Sequence, residues 1–345
     1  MHKRLWVLLI ALALLLPGCG GGGGENQPEI RVGLALYKED DTFIEAITEG
    51  IQRASAESSR DGTWRASISV ADAEGSQTSQ NQQIERFLAL GYDVLCVNLV
   101  DRTYAAPIID KAMGAGVPLV FFNREPVPED LEKWDRLCYV GSDARKSAEL
   151  EAQIVLDFWK KDPGALDRNG DGSIQYIMIE GERRHQDTVI RTEGTIQALR
   201  DGGLELERLD GGIANWDRTQ AQALMAGYFE QYGEQIELVI CNNDDMALGV
   251  ADAVEEAGLD FHNIVGIDGT AAGATAVSQG KLLGTVAMQP EVHGRTVFRL
   301  AMELATGKTV SEIEMLNPDQ SVRIPMEILS RSNRKEEMKH ETLIH

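Results

Sequence analysis

A chain of 345 residues with a formal net charge of −22 is long enough for two domains of ordinary size, each with its own hydrophobic core. The acidic surplus makes nucleic acid and anionic membrane surfaces poor partners, because both carry charge of the same sign. The composition therefore favours a neutral ligand or a cation.

The N-terminus has the pattern of an export signal. Two basic residues precede an apolar run over 5–16, which is too short to span a bilayer by itself. The run ends in Leu16-Pro17-Gly18-Cys19, which resembles a bacterial lipobox, whose cysteine becomes lipidated after cleavage. We expect a signal peptide over 1–18, a lipid anchor at Cys19 and a glycine-rich flexible tether over 19–28. A plain secretory signal with an incidental cysteine is the alternative.

From residue 29 onward, short apolar runs alternate with amphipathic segments of helical spacing. This repeated βα pattern predicts parallel sheets covered by helices on both faces. The predicted strands are 30–36, 67–71, 94–99, 117–122, 174–180, 204–209, 236–241, 264–267, 284–287 and 322–325. The predicted helices are 43–58, 78–90, 104–115, 187–200, 217–232, 246–257 and 292–305.

The segment 123–128 interrupts this rhythm and is the predicted first crossing between two lobes. The predicted fold class is α/β, with two doubly wound Rossmann-like lobes joined by a multi-strand hinge. The N-terminal lobe is assigned 29–121 plus 289–322. The C-terminal lobe is assigned 122–288 plus 323–332, and a charged, frayed tail covers 333–345.

Polar and aromatic side chains follow many of the predicted strands, at the sheet edge where open α/β sheets bind ligands. Carboxylates, amides, an arginine, a histidine and two aromatic rings form a set that suits a neutral polyol. Amides and carboxylates pair with vicinal hydroxyls, and flat rings cover the C–H faces of a pyranose. The residues at these ends are Asp41, Phe43, Asn98, Asp101, 123–125, His185, Asp187, Arg191, Trp216, 242–245 and Asp268.

The segment 167–175 resembles the first half of a calcium-binding loop, because oxygen-bearing side chains alternate and Gly172 permits a sharp turn. The match then breaks, since Met178 occupies the position of the bidentate glutamate and a predicted strand follows instead of a helix. Either the segment is an ordinary acidic turn, or Gln175 and a distant carboxylate complete the site. The candidate ligands within the loop are Asp167, Asn169, Asp171, the carbonyl of Ser173, and Gln175.

These motifs resemble those of the bacterial periplasmic galactose/glucose-binding proteins, type I sugar-binding proteins that serve ABC importers. The likeness runs from 29 to 325 in the family's order. Residues 37–43 (Tyr-Lys-Glu-Asp-Asp-Thr-Phe) resemble its first ligand motif, and 181–187 (Gly-Glu-Arg-Arg-His-Gln-Asp) resemble its His and Asp motif. The resemblance implies a cleft that closes on D-glucose or D-galactose by hinge motion and delivers the sugar to a membrane permease.

The resemblance also implies a role for each site residue. Asp41 would bond the sugar's O4, and Phe43 and Trp216 would cover its two faces. Met288 stands where the family has an asparagine and cannot donate a hydrogen bond, so one hydroxyl loses a partner at a cost of about 1–3 kcal/mol. The exact hexose therefore stays open. The implied sugar-binding residues are Asp41, Phe43, Asn98, His185, Asp187, Arg191, Trp216, Asn243, Asp268 and Met288.

In that family a glutamine on the following strand and a distant glutamate complete the calcium loop. Gln175 and Glu237 stand at the matching places, which implies a structural Ca²⁺ held by the loop and the next strand. The implied ligand set is Asp167, Asn169, Asp171, Ser173, Gln175 and Glu237.

The sequence favours binding without catalysis, because it contains no nucleophile elbow, phosphate loop or metal-hydrolase motif. We expect a monomer. A sensory role, with the closed lobes presented to a chemoreceptor or sensor kinase, stays open because it uses the same surface. A glycoside hydrolase would need Asp41 and Asp187 on opposite sides of the scissile bond, and the amides favour holding a sugar instead. A DNA-binding regulator of the same core fold is rejected, because the lipobox occupies the place of its DNA-binding helices.

Overall fold

The computed structural model describes residues 28–331. The predicted signal peptide, the lipidation site Cys19 and the tail over 333–345 lie outside this range, as does all but the last residue of the tether. None of the helices within 28–331 combines the length and the apolar character needed to cross a membrane.

The described chain forms two α/β lobes, each built on a six-stranded sheet, which confirms the predicted fold class. In chain order the strands are β1 (Glu29–Leu36), β2 (Arg65–Asp72), β3 (Val94–Val97), β4 (Leu119–Phe122), β5 (Leu137–Gly141), β6 (Ile174–Glu180), β7 (Leu206–Ile213), β8 (Leu238–Cys241), β9 (Ile264–Asp268), β10 (Gly284–Ala287), β11 (Ser321–Arg323) and β12 (Glu327–Ser330). The first sheet has the order β11-β5-β4-β3-β1-β2 and the second has β12-β10-β9-β8-β6-β7. All pairings are parallel except that of β12 with β10.

Helices connect the strands and cover both sheets. They are α1 (Thr42–Asp61), α2 (Gln77–Ala89), α3 (Ala105–Ala115), α4 (Pro128–Leu131), α5 (Ala144–Lys161), α6 (Pro163–Leu166), α7 (Gln186–Asp201), α8 (Arg218–Tyr232), α9 (Asp244–Glu256), α10 (Ala271–Gln279) and α11 (Pro290–Ala305). Each predicted strand and helix is present, with ends that differ by a few residues. The elements β5, β12, α4, α5, α6 and α10 were not predicted.

The lobe boundary predicted at residue 122 is wrong. Strand β5 pairs in parallel with β4, so the chain stays in the first lobe until Gly141 and first crosses at 142–143. Asn123, with φ of 61°, turns the chain back, and the guanidinium of Arg124 lies over the Tyr37 ring of the same lobe. The other two crossings lie at 288–289 and 324–326, close to the predicted places.

Three helices that begin at the cleft between the lobes have predicted sugar ligands as their N-terminal caps. Asp41 caps α1, His185 caps α7 and Asn243 caps α9, each accepting a hydrogen bond from a backbone N–H of the first turn. Because each helix follows a parallel strand, its N-terminus lies at the carboxyl edge of the sheet. The same residues that start these helices are thereby placed at the cleft.

Candidate functional site

A cavity of about 370 Å³ lies between the two lobes, and both lobes line it. We call it the sugar cavity. The first lobe contributes Tyr37, Asp41, Phe43, Ile44, Asn123 and Arg124, and the second contributes His185, Asp187, Arg191, Trp216, Asn243 and Asp268.

Local hydrogen bonds fix Asp41 in the first lobe. Its Oδ1 accepts from the backbone N–H groups of Phe43 and Ile44, each at 3.0 Å, and its Oδ2 accepts from the Tyr37 hydroxyl. Burial raises the pKa of Tyr37, so the hydroxyl stays a donor. The guanidinium carbon of Arg124 lies 3.7 Å from the centre of the Tyr37 ring. The carboxylate is therefore held in place before any ligand arrives.

Two hydrogen bonds join the lobes directly beside the cavity. The Nη2 of Arg124 lies 3.0 Å from the Glu182 carboxylate of the second lobe, while its Nη1 donates to the carbonyl of Val100 in its own lobe at 2.7 Å. Thr42 donates its hydroxyl to Asp245 of the second lobe at 2.7 Å. These contacts are made only when the lobes are closed against each other.

His185 is set as a neutral hydrogen-bond donor. Its Nδ1 accepts from the backbone N–H of Asp187 at 3.0 Å, which places the proton on Nε2. Burial lowers the pKa of His185 well below its usual range, and the nearby arginines lower it further. The imidazole meets the Trp216 indole edge to face, with ring centres 5.0 Å apart. At neutral pH the ring therefore offers an N–H and carries no charge.

A buried arginine organises the second lobe's wall. Arg191 donates Nη1 to the carbonyl of Asn242 at 2.8 Å, and its Nη2 lies 3.3 Å from Asp187 and 3.4 Å from the Met288 sulfur. Asp268, whose backbone has a positive φ of 128°, reaches only to 4.0 Å from Nη1. Burial raises the pKa of Asp187 and of Asp268, and Arg191 opposes both shifts. Because 4.0 Å separates them, Arg191 and Asp268 do not form a hydrogen bond.

The indole of Trp216 packs against the backbone of Gly181, which has no side chain. Asn215 and Trp216 both have positive φ, at 51° and 64°, which turns the ring toward the cavity. A Cβ on Gly181 would lie 2.3 Å from the indole, so only glycine leaves room for it. Phe43 lines the cavity from the other lobe. The two rings predicted to cover a sugar thus come from opposite lobes.

Eight of the ten predicted sugar-binding residues line the cavity, and Asn98 and Met288 do not. Asn98 is fully buried one layer behind it, where its amide donates to the Phe122 carbonyl at 3.2 Å and to Asn123 Oδ1 at 3.1 Å. Asn123 lines the cavity in its place. Met288 lies buried against Arg191, so it supports a ligand residue and does not replace one.

Four lining residues are not among the ten implied sugar-binding residues: Tyr37, Ile44, Asn123 and Arg124. Tyr37 is the first residue of the motif that contains Asp41 and Phe43, and Ile44 follows that motif directly. Their spacing around a strand-to-helix turn was a usable signal, because the whole turn lies at the sheet edge. Asn123 and Arg124 belong to the predicted crossing 123–128, and the sequence pattern also places them at the ligand-binding edge of the sheet.

The predicted calcium loop brings its residues together around Glu237. This fully buried carboxylate accepts from the backbone N–H groups of Asn169 at 3.0 Å and Gln175 at 3.2 Å, although it lies more than sixty residues along the chain. Gln175 in turn bonds Asn169 at 2.8 Å and Asp171 at 3.0 Å. Within 28–331 no three His, Cys, Asp or Glu side chains are grouped to hold a metal ion. The mixed donor set fits calcium chemistry, and calcium stays a prediction.

The family model for the periplasmic binding protein domain matches residues 32–309. The chain belongs to the periplasmic binding protein family. It is 31% identical to the D-galactose/methyl-galactoside binding periplasmic protein MglB of Haemophilus influenzae, over 96% of this chain and 98% of the relative. It is 24% identical to the ribose import binding protein RbsB of Bacillus subtilis, over 90% of this chain and 96% of the relative.

Solved structures agree with this family. An ABC transporter solute-binding protein from Bacillus halodurans C-125, crystallised with myo-inositol, superposes with a TM-score of 0.74 at 26% identity. The superposition covers 90% of this chain and 98% of that one. The chain is accordingly an extracytoplasmic sugar-binding protein of ABC importers, and the relatives named above are sugar-binding transport proteins.

Proposed function

We propose that the protein captures D-glucose or D-galactose in the sugar cavity by closure of its two lobes and delivers it to an ABC transporter permease. The observation that supports this most is the cavity itself, because carboxylates and aromatic rings from both lobes line the same space. The relative at 31% identity, named for D-galactose and methyl-galactoside, supports the choice of hexose.

The polar groups suit a neutral polyhydroxyl ligand. Asp41 and Asp268 accept hydrogen bonds from hydroxyls on two sides, while His185 Nε2–H and Arg191 donate. Hydrogen bonds to charged groups contribute about 1.5–3 kcal/mol each. Arg191 and Asp268 stand 4.0 Å apart, so a sugar hydroxyl can bond both without first breaking a close ion pair. Phe43 and Trp216 then exclude water from the C–H faces.

Closure supplies the rest of the binding energy. The Thr42–Asp245 and Arg124–Glu182 contacts form across the lobes, and the three connecting segments 142–143, 288–289 and 324–326 absorb the rotation. A closed surface made of both lobes is what a permease can distinguish from the open, empty protein. The sensory alternative uses this same surface.

Calorimetry of the chain from residue 29 onward tests the proposal directly. Glucose, galactose, ribose and xylose are titrated in turn, with Asp41→Asn as a control that keeps the helix cap and removes the carboxylate. We expect tight binding of glucose or galactose and a loss of about 1.5–3 kcal/mol in the control. If a pentose alone binds, the ligand is a different monosaccharide from the proposed hexoses. If none of the four sugars gives a binding heat, the proposal is refuted.

We also propose that the loop over 167–175 binds a structural Ca²⁺ together with Glu237. The hydrogen bonds that bring Asn169, Asp171 and Gln175 together with the buried Glu237 support this, since calcium takes oxygen ligands of these kinds. Chelation should then lower the melting temperature, and added calcium should restore it in proportion to the logarithm of its concentration. Glu237→Gln should abolish the response. An unchanged melting curve would mean that the loop's own hydrogen bonds suffice.

The anchoring is proposed from the N-terminal sequence. We propose a monomer attached outside the cytoplasmic membrane by a lipid on Cys19. Labelled palmitate should enter the wild-type chain expressed in a bacterial host and should not enter Cys19→Ala. Label in both chains, or in neither, would contradict the anchor.

A further inference from the structure

The side chain of Asp244 in the second lobe is fully buried, and it does not line the sugar cavity. Asp244 is the first residue of α9 and directly follows the cavity residue Asn243. Its two carboxylate oxygens accept three hydrogen bonds, and each of the three donors lies outside its own helix. The proposed function gives no role to this buried carboxylate.

One oxygen of Asp244 holds the loop that follows strand β9. Its Oδ2 accepts from the backbone N–H of Thr270 at 2.8 Å and from the Thr270 hydroxyl at 3.1 Å. Thr270 comes two residues after Asp268, the proposed sugar ligand at the end of β9. The Thr270 hydroxyl also caps α10, because it accepts from the backbone N–H of Gly273 at 3.0 Å. Asp244 therefore fixes the chain where it leaves the sugar cavity.

The other oxygen of Asp244 reaches the same loop through a side chain on strand β10. Thr285 donates its hydroxyl to Asp244 Oδ1 at 2.5 Å, and the same hydroxyl accepts from the backbone N–H of Gly269 at 3.3 Å. Gly269 directly follows Asp268. Asp244 thus holds the N–H of Thr270 directly and the N–H of Gly269 through one hydroxyl. Both peptide groups that follow Asp268 are fixed in this way.

Asp268 needs this support because its backbone is strained. Its φ is 128°, a positive value that favours glycine, and the next residue, Gly269, has φ of 66°. A residue other than glycine keeps such a conformation only where the surrounding structure holds it. On the opposite side, the carbonyl of Asp268 accepts from the backbone N–H of Met288 at 2.9 Å. Since the backbone sets the direction of the side chain, these bonds determine where the Asp268 carboxylate lies.

Two glycines leave the space that the Asp244 carboxylate occupies. A Cβ on Gly273 would lie 2.1 Å from Oδ2, and a Cβ on Gly266 would lie 2.9 Å from Oδ1. Both distances are too short for a carbon and an oxygen that are not bonded. The carboxylate therefore packs directly against backbone on two sides, which restricts it to the position from which it holds the loop.

We propose that Asp244 is a positioning residue for sugar binding, which acts through the backbone of Asp268 and does not touch the sugar. The inference rests on the proposed function, because its readout is the sugar affinity to which Asp268 contributes. It predicts that changes in this buried network weaken sugar binding only while the Asp268 carboxylate is present.

Two variants of nearly unchanged shape break the network at one bond. Asp244→Asn keeps an oxygen that can accept from Thr270, but its amide nitrogen cannot accept from Thr285. Thr285→Val removes the hydroxyl, and Thr285→Ser is the matched control that keeps it. Calorimetry with glucose and galactose should show binding about tenfold weaker in Asp244→Asn and in Thr285→Val, and within about threefold of the wild type in Thr285→Ser.

A double-mutant cycle separates positioning from a general structural role. Asp244→Asn should weaken hexose binding by about tenfold in the wild type and by less than about threefold in Asp268→Asn, because the residue through which it acts is then already changed. The same tenfold loss in both backgrounds would overturn the inference, since Asp244 would then act through another residue such as Asn243. Unchanged affinity in both Asp244→Asn and Thr285→Val would also overturn it.

Thermal unfolding of each variant checks that the protein folds. Burial raises the pKa of Asp244, so the neutral amide in Asp244→Asn should be compatible with a folded protein near neutral pH. If Asp244→Asn does not fold, Thr285→Val and its cycle with Asp268→Asn decide the question. A wild type that binds neither glucose nor galactose would refute the proposed function and this inference with it. A wild type that binds them and variants that bind equally well would overturn the inference alone.

Discussion

The two lobes build their walls of the sugar cavity in different ways. In the first lobe, Asp41 is held by local partners, as the cap of a helix and the acceptor of the Tyr37 hydroxyl, and its carboxylate can still accept a further hydrogen bond. In the second lobe, Arg191 and Asp268 are both buried, yet only 4.0 Å separates them and no close bond joins them. The carboxylate in the first wall has hydrogen-bond partners within the protein. In the second wall, Asp268 obtains its hydrogen bonds from the ligand.

This difference follows from where each residue comes in its element. A helix cap is required for the helix itself, so a ligand residue that caps a helix is positioned by local structure. Asp268 ends a central strand with positive φ and has no such local partner. Its carboxylate is buried at a cost that a bound sugar offsets. Substitutions in the two walls should therefore differ in how they divide their effect between binding and stability.

The largest effect on sugar binding is expected for Asp268→Asn. Loss of a charged acceptor should weaken hexose binding by about 3 kcal/mol, a factor of ~100. The melting temperature of the free protein should hold or rise, because burial has raised the pKa of this carboxyl and the amide removes the charge. Calorimetry and thermal unfolding of the same sample check both parts. A fall in melting temperature with unchanged affinity would show that Asp268 stabilises the fold and does not bind the sugar.

The stability of the second lobe should depend on pH through the buried side chain of Glu151. It is fully buried between helices, where it accepts from the Thr195 hydroxyl at 2.8 Å, and burial raises its pKa to about 8. Because this folded-state pKa lies above the unfolded one, the folded protein binds more protons between pH ~4.5 and ~8, and the contribution to stability falls as pH rises through that window.

Glu151→Gln should remove this pH dependence. At pH 5 its stability should lie within about 1 kcal/mol of that of the wild type, and at pH 9 it should exceed it by on the order of 4–5 kcal/mol, since the folded-state pKa is about 8 and one unit of pKa corresponds to ~1.4 kcal/mol. Urea unfolding at the two pH values measures the difference. Parallel loss of stability with pH in both proteins would exclude Glu151 as its source.

A smaller effect is expected where Trp216 meets Gly181. Gly181→Ala places a methyl group 2.3 Å from the indole and must displace it, so binding should weaken by about 1–2 kcal/mol. Gly227→Ala in α8 is the control, because its Cβ would meet nothing within 4 Å. That change should leave affinity alone and stabilise the helix by about 0.5–1 kcal/mol. Identical affinities for the two variants would show that the indole does not contact the ligand.

The smallest effect is expected at the interlobe contact. Thr42→Ala removes the hydrogen bond to Asp245 and should weaken binding by about 0.5–1.5 kcal/mol, because the bond exists only in the closed state. Thr42→Ser keeps the hydroxyl and should bind as the wild type does. A faster sugar dissociation rate in the alanine variant, measured by stopped flow, separates closure from direct contact. Equal rates in all three proteins would mean that this bond does not hold the lobes closed.

The sequence predicts the strands because each central one is a short apolar run followed by a polar turn. Strand β5 escaped prediction since five residues between two irregular segments carry no period. Helix α5 did carry a usable signal, because Asp143 caps it and Ala144, Ala148 and Ala152 repeat at helical spacing.

The sequence predicts the site residues that belong to local motifs. It does not predict which of two neighbouring residues lines the cavity and which is buried behind it. Asp41 and His185 cap helices, so their place at the sheet edge follows from the sequence pattern. Asn98 also follows a strand, yet Asn123 turns in front of it with φ of 61° and takes its place at the cavity. A linear sequence orders residues along a strand and does not show which of two neighbouring amides lies in front.

The most direct test of the account is a crystal structure of the protein grown with galactose or glucose. It should show one pyranose between Phe43 and Trp216, within hydrogen-bond distance of Asp41 from one lobe and Asp268 from the other. A sugar bound to one lobe alone, or bound away from both carboxylates, would contradict the claim that the two walls meet on a single hexose.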